Sequence, residues 1–140
     1  MPVPLFDPRS LQRFSVIRVP YHFDGDPGPE EKLFVVLCHK DEFAICIKAT
    51  SKTAVFKNNP DMMKGCVWFS AGQLDCFPHD TAIEPDNQIP VPYEAIRKAH
   101  NCGSLEVHEL PDRFENDLRA AIDRSATMSP RKRARILGMF

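Results

Sequence analysis

The stretch Glu31-Lys32-Leu33-Phe34-Val35-Val36-Leu37-Cys38-His39-Lys40-Asp41-Glu42-Phe43-Ala44-Ile45-Cys46-Ile47-Lys48-Ala49-Thr50 decides the fold. Two strongly apolar runs, residues 33–38 and 43–49, flank the polar residues His39, Lys40, Asp41 and Glu42. That is the spacing of a β-hairpin. The first run is apolar on both faces, as a central strand must be. The second alternates. Phe43, Ile45 and Ile47 share one face, and Ala44, Cys46 and Lys48 share the other.

The hairpin sits inside a window from residue 30 to residue 59 that holds no proline, although the chain has 13 of them in 140 residues. Proline lacks the backbone N–H and is excluded from central strands, so this window can hold uninterrupted ladders. The prolines outside it recur at turns, as a β-rich domain with many connections needs. The length suits one domain with one core. Hydrophobic residues at 43% and charged residues at 26% exclude a wholly disordered chain.

Working outward, Phe14-Ser15-Val16-Ile17-Arg18-Val19 reads as a β-branched strand closed by Pro20, with residues 21–23 as a possible edge extension. Residues 24–31 form a polar loop with strong turn chemistry. A polar connection through Asn58-Asn59-Pro60-Asp61 leads to a strand around Val67-Trp68-Phe69. Residues 80–84 are a short strand, Pro85-Asp86-Asn87 a turn, and residues 88–91 a strand pushed to an edge by Pro90 and Pro92. A helix over 93–99 follows Pro92 and stops before the turn Asn101-Cys102-Gly103. A longer one starts near Pro111, with Leu110, Phe114, Leu118, Ala121 and Ile122 on one stripe. The expectation is a mainly β, β-rich α+β fold: a small, strongly bent antiparallel sheet or open barrel with one or two C-terminal helices. It divides into an irregular N-terminal arm (1–12), a single barrel domain (13–124) and a basic C-terminal tail (125–140).

The charge is uneven. Residues 1–124 carry 14 Lys and Arg against all 19 Asp and Glu, and the tail adds Arg131, Lys132, Arg133 and Arg135 without an acid. The net charge of −1 argues against a uniformly basic nucleic-acid binder. The tail alone could touch nucleic acid, and its bland reading is a solvated, fraying terminus, while Ile136-Leu137 and Phe140 could dock on the barrel or a dimer mate. Five cysteines without an export signal fit reduced thiols and a cytoplasmic protein, and no apolar run suggests a membrane span.

Few chemical motifs are present. Cys76-x-x-His79 and His100-x-Cys102 could supply four zinc ligands, but the spacing is not that of a finger, and no metal or cofactor is assigned. Cys38 and His39 are adjacent in a strand, so they point to opposite faces and make a poor nucleophile–base pair. There is no phosphate-binding glycine loop, no GxSxG elbow and no HExxH helix. The strongest cluster comes from the hairpin itself. Lys32 opens one strand, and Thr50, Ser51 and Lys52 follow the end of its partner, so the pairing brings them together. His22 ends the first strand near the same rim. A cation, two hydroxyls and an imidazole can bind a phosphodiester, stabilise its developing charge and move a proton. Taken alone, Thr-Ser-Lys at a strand end is most often a turn.

The order of these pieces resembles the MazF/PemK family of bacterial toxins. The resemblance runs through Val16-Ile17-Arg18-Val19-Pro20, the polar loop, Glu31 to Leu37, Ala44 to Ser51, Ile83-Glu84-Pro85 onward to Ile96, and Asn101-Cys102-Gly103-Ser104-Leu105, covering about residues 13–124. It implies a compact SH3-like barrel, a homodimer, and a metal-independent endoribonuclease. Such an enzyme cuts single-stranded RNA through the ribose 2′-hydroxyl and leaves a cyclic phosphate. It also implies a small cognate antitoxin as protein partner. By position Thr50 matches the family's hydroxyl after the hairpin, with Ser51 beside it. Lys32-Leu33 stands where the family has arginine followed by proline. Lysine is a point charge and lacks arginine's bidentate fork. Lys48, Lys52, Lys57 and Lys64 are the candidates for a local basic groove in an otherwise acidic body. The rival expectation is a non-catalytic barrel of the same shape that binds a protein or nucleic acid.

Overall fold

The computed structural model describes residues 6–21 and 30–140. His22 and most of the expected loop over 24–31 therefore lie outside the described residues, as do residues 1–5. In chain order the elements are a 3-10 turn at Pro8–Ser10, β1 (Ser15–Tyr21), β2 (Glu30–Lys40), β3 (Phe43–Thr50), α1 (Ala54–Lys57), α2 (Pro60–Lys64), β4 (Val67–Phe69), β5 (Thr81–Pro92), α3 (Tyr93–Asn101), β6 (Glu106–Glu109), α4 (Phe114–Arg124) and α5 (Pro130–Leu137).

The six strands pair antiparallel in the order β4-β5-β3-β2-β1-β6, a curled half-barrel with β2 and β3 in its middle. The hairpin turn is tighter than expected. Lys40 pairs with Phe43, and only Asp41 and Glu42 lie between. Asp41 takes a left-handed φ of 54°, which the primed two-residue turns require and aspartate tolerates.

Both faces of β2 are buried, as its unbroken apolar run demands. Val35 and Leu37 face a core with Val16, Ile47, Ile83, Phe69 and Phe77, closed by Phe114, Leu118 and Ile122 of α4. Phe34 and Val36 face the other side, with Val19, Cys46, Ile89 and Val91, closed by Tyr93, Ile96 and Ala99 of α3. Each buried Val, Leu, Ile or Phe side chain among these stabilises the fold by about 1.5–3 kcal/mol through burial. The expected helices form on schedule, and Gly103 takes the left-handed φ of 74° in the turn that ends α3.

Four elements differ from the sequence reading. Residues 80–91 are not two strands around a turn but the single strand β5. Its register against β3 jumps from Gln88 opposite Ile47 to Glu84 opposite Lys48, so Pro85-Asp86-Asn87 bulge out without breaking the strand. Beyond that bulge β4 no longer covers β5, and Pro90 and Pro92 occupy this locally open edge. The connection after β3 contains two short helices. For α2 the Asn59 side chain accepts the Met62 N–H (3.3 Å) and Pro60 holds the first turn. Strand β6 was missing from the reading because it has one apolar residue, Val107, yet it pairs with β1 from Ser15 opposite Glu109 to Arg18 opposite Glu106.

The fourth difference is the basic tail. Residues 130–137 are helix α5, not a fraying terminus. The Ser129 hydroxyl caps it by accepting the Lys132 N–H (3.2 Å), and Ile136 is fully buried in the α4 core. The bulge holds its start: half-buried Asp86 accepts from the Thr127 hydroxyl and pairs with Lys132. At its far end the Phe140 ring meets Phe14 edge-on at 5.4 Å, and Phe14 meets Phe114 at 5.2 Å. Phe14 holds a φ of 68°, a strained value for a bulky residue that these ring contacts offset. Replacing Ile136 by Ala should cost about 2–5 kcal/mol in urea unfolding, the loss expected for a core isoleucine. A detached tail would give no change.

Candidate functional site

Leu33 pairs with Ala49, so Lys32 and Thr50 are the next residues beyond that pair on the two strands. Lys32 also stands opposite Val19 on β1, and Thr50 opposite Ala82 on β5. The pairing therefore brings together the two residues singled out in the sequence. They open onto a cleft of about 420 Å³ at the end of the hairpin, which also touches Lys48, Ser51 and Lys52. By strand alternation Lys32, Lys48 and Thr50 belong to one face of the sheet, while Arg18, Leu33 and Ala49 belong to the other. The cleft reaches residues of both faces at the open end.

The far wall is the segment 70–80. Gly72 donates its N–H to the Phe77 carbonyl (2.9 Å), and the Phe77 ring is fully buried in the core. Fixed this way, the segment sets Asp75, Cys76 and His79 along the cleft. The side wall is β6, which contributes Glu106 and His108. The sequence singled out His79 only as a possible zinc ligand beside Cys76, and it did not point to His108. His79 lies in a segment without periodicity, and His108 in a strand with a single apolar residue. Only the pairing of β6 with β1, about ninety residues apart in sequence, brings the second to the site.

Each polar group has a defined environment. The Lys32 side chain is only 13% exposed, and its Nζ lies 3.1 Å from Glu30 Oε2. The Thr50 hydroxyl is buried and accepts the Lys52 N–H at 3.1 Å, which leaves its own O–H to donate. Ser51 and Lys52 are exposed on the rim. Arg18 bridges Glu106 (3.1 Å) and Glu31 (3.6 Å), and His108 Nε2 lies 3.4 Å from Glu106 Oε1. Four cations, Arg18, Lys32, Lys48 and Lys52, thus share the cleft with four acids, Glu30, Glu31, Asp75 and Glu106. Protonated histidine adds positive charge to this balance.

The remaining candidates lie elsewhere. Lys57 is drawn to Asp80 (2.9 Å) beside the Trp68 ring, and Lys64 ends α2, so neither lines the cleft. Asp80 also accepts the Ala71 N–H (2.8 Å) and so ties the wall segment to α1. Its hydrogen bond with Lys57 holds its carboxyl below the ordinary value of 3.8. The possible zinc ligands are split. Cys76 and His79 are at the cleft, whereas His100 stacks on Phe6 at 4.7 Å and Cys102 is exposed. Among the described residues no three His, Cys, Asp or Glu side chains cluster as metal ligands would. His39 is committed to structure. Its Nε2 donates to the Leu11 carbonyl (2.8 Å), so its Nδ1 accepts from the Tyr93 hydroxyl (2.7 Å). Burial raises the Cys38 thiol and pushes Cys66 up to about 12, which disfavours the nucleophilic thiolate at both. Among the described residues no helix is long and apolar enough to cross a membrane.

Two tests follow from these environments. A carboxyl held below its unfolded pKa stabilises the fold above that pKa, and the stabilisation is lost as pH falls through the folded value. The stability advantage of the wild type over Asp80→Asn should therefore be full above about pH 5 and shrink on acidification below the ordinary carboxylate range. Urea unfolding at stepped pH measures it. In a thiol-reagent titration of the native protein, exposed Cys102 should react first, and buried Cys46 and Cys66 only after unfolding. No protein-family model, curated protein or solved structure matches this chain.

Proposed function

We propose that the chain is a metal-independent endoribonuclease of the MazF/PemK kind, built on an SH3-like barrel and acting in the cytoplasm as a homodimeric toxin restrained by a cognate antitoxin. The observation that carries the reading is the convergence of Lys32, Thr50 and Ser51 at the open end of the hairpin, in a cleft with two histidines. The Lys32 ammonium would offset charge on the scissile phosphate, and the Thr50 and Ser51 hydroxyls would donate to its oxygens. His79 and His108 supply imidazoles that can take and give a proton, as transfer to and from the ribose and leaving oxygens needs. The cleavage then forms a bond from the 2′-oxygen to phosphorus and breaks the bond to the 5′-oxygen, with no metal step. His22 stands in the sequence as a further acid–base candidate.

The ion pairs favour a second reading. Lys32 already meets Glu30, and Arg18 already meets Glu31 and Glu106, so an incoming phosphate must displace or outcompete carboxylates. In a non-catalytic barrel that binds a protein or nucleic-acid partner these pairs need not open around a scissile bond, and a protein partner brings no phosphate to compete with the carboxylates.

Incubating the purified protein with single-stranded RNA in excess chelator separates the two. The nuclease reading expects fragments ending in a cyclic phosphate, and growth arrest when the chain is induced in bacteria. Lys32→Ala and Thr50→Val should each slow cleavage by about 10²–10³-fold, the usual cost of one lost charge-stabilising group. Intact RNA at micromolar protein, together with normal growth, supports the binding reading. Undiminished cleavage by the double variant sinks the site assignment.

A further inference from the structure

The structure gives the C-terminal cations a role apart from the cleft. Helix α5 turns Lys132 and Arg133 inward, to Asp86 and to the Ser125 carbonyl. Arg131 and Arg135, four residues apart on one helical face, are left exposed. Arg124, at the end of α4, donates through Nε to the Lys64 carbonyl (3.4 Å), which brings the end of α2 alongside. Ser125, the residue after Arg124, joins the two helices at this corner. Lys64 and Arg124 are exposed at this corner, and Arg131 and Arg135 are exposed on the outer face of α5.

Their lack of counter-charges is the informative feature. Arg9, Arg13, Arg18, Arg113 and Arg119 each meet a carboxylate within 4 Å, whereas exposed Arg97 sits over the Tyr93 ring and exposed Lys40 and Lys52 form no ion pair among the described residues. Among the described residues Lys64, Arg124, Arg131 and Arg135 form no ion pair. Exposed acids stand on the same elements, Asp61 on α2 and Asp123 beside Arg124, yet among the described residues neither pairs with these cations. A surface of unpaired guanidinium groups fits a polyanion, because each contact releases condensed counterions and arginine grips phosphate bidentately.

We infer that α5 and the ends of α2 and α4 form a binding surface for the phosphodiester backbone of a single-stranded nucleic acid. A lipid surface is the poorer fit. The apolar side of the helix, Ile136 and Leu137 with Met139 and Phe140 beyond, packs on the core and is not free to enter a bilayer. Backbone contacts position a strand without reading its sequence. The surface therefore acts as a tether, and it functions whether or not the cleft cuts RNA.

The test is fluorescence anisotropy of two labelled twenty-nucleotide strands of one sequence, one 2′-O-methyl RNA, which resists cleavage through the 2′-oxygen, and one DNA. Affinities are taken from 50 to 200 mM salt. For the double variant Arg131→Gln/Arg135→Gln the slope of log affinity against log salt should fall by about 1.4, at about 0.7 per lost phosphate contact on a single strand. Affinity at 50 mM salt should fall about tenfold or more. The double variant Arg9→Gln/Arg113→Gln loses the same formal charge from paired positions and should bind as the wild type does. Arg131→Lys/Arg135→Lys should keep the salt slope, and circular dichroism confirms that each variant is folded. RNA and DNA bound within about threefold of each other fits backbone recognition. Equal losses in the two glutamine variants, strong discrimination between the strands, or no wild-type binding at 50 mM salt would overturn the proposal. Chelator-resistant cleavage is read separately, so failure of the tether and failure of the nuclease reading are distinguishable.

Discussion

The pairing of β2 with β3, apolar on both sides, is the constraint on which the rest of the molecule depends. A strand pair with one wet face needs one covering layer. This pair needs two, and the chain supplies them from different regions: α3 on one face, α4 and α5 on the other. The same pairing fixes the register, because a one-residue slip would exchange the two cores. Register in turn decides which polar residues meet at the open end. Lys32 lies beside Thr50 because Val35 is locked opposite Ile47 three pairs deeper in the ladder.

The cleft shows a second constraint, that of holding cations near a low-dielectric core. Lys32 is largely buried and keeps a carboxylate close, and Arg18 keeps two. Such pairs avoid the cost of uncompensated charge, and they also lower the positive potential offered to a phosphate. The C-terminal corner has the opposite arrangement, with exposed cations that need no partner because water solvates them. The chain thus separates a shaped, charge-balanced cleft from an unshaped, positive surface.

How much of this was legible varies by element. The hairpin, α3 and α4 could be read because periodicity and stop signals agree there, at the unbroken run from Leu33 to Cys38 and the stripe from Phe114 to Ile122. The convergence of Lys32 with Thr50 was legible for the same reason, since it follows from a local hairpin. Other features depend on distant parts of the chain. Strand β6 exists because β1 offers it an edge, and no pattern in Glu106-Val107-His108-Glu109 announces it. The Pro85-Asp86-Asn87 segment has good turn chemistry, yet pairing on both flanks absorbs it as a bulge. Helix α2 carried a readable signal, Asn59 before Pro60 and Asp61, that polar composition masked. In α5 the sequence leaves open both a solvated basic tail and docking through Ile136, Leu137 and Phe140, and the burial of these three decides between them.

The pairing of β6 with β1 also sets an order of assembly. Lys32 and Thr50 can meet as soon as residues 30–50 have formed their hairpin, a local event on the microsecond scale. The wall holding Glu106 and His108 must close a loop from Arg18 to Glu106, the slower kind of contact because its entropy is paid before it gains anything. During synthesis the Lys32–Thr50 part of the cleft can therefore form well before the wall holding Glu106 and His108, and the cleft becomes complete only when most of the chain has left the ribosome.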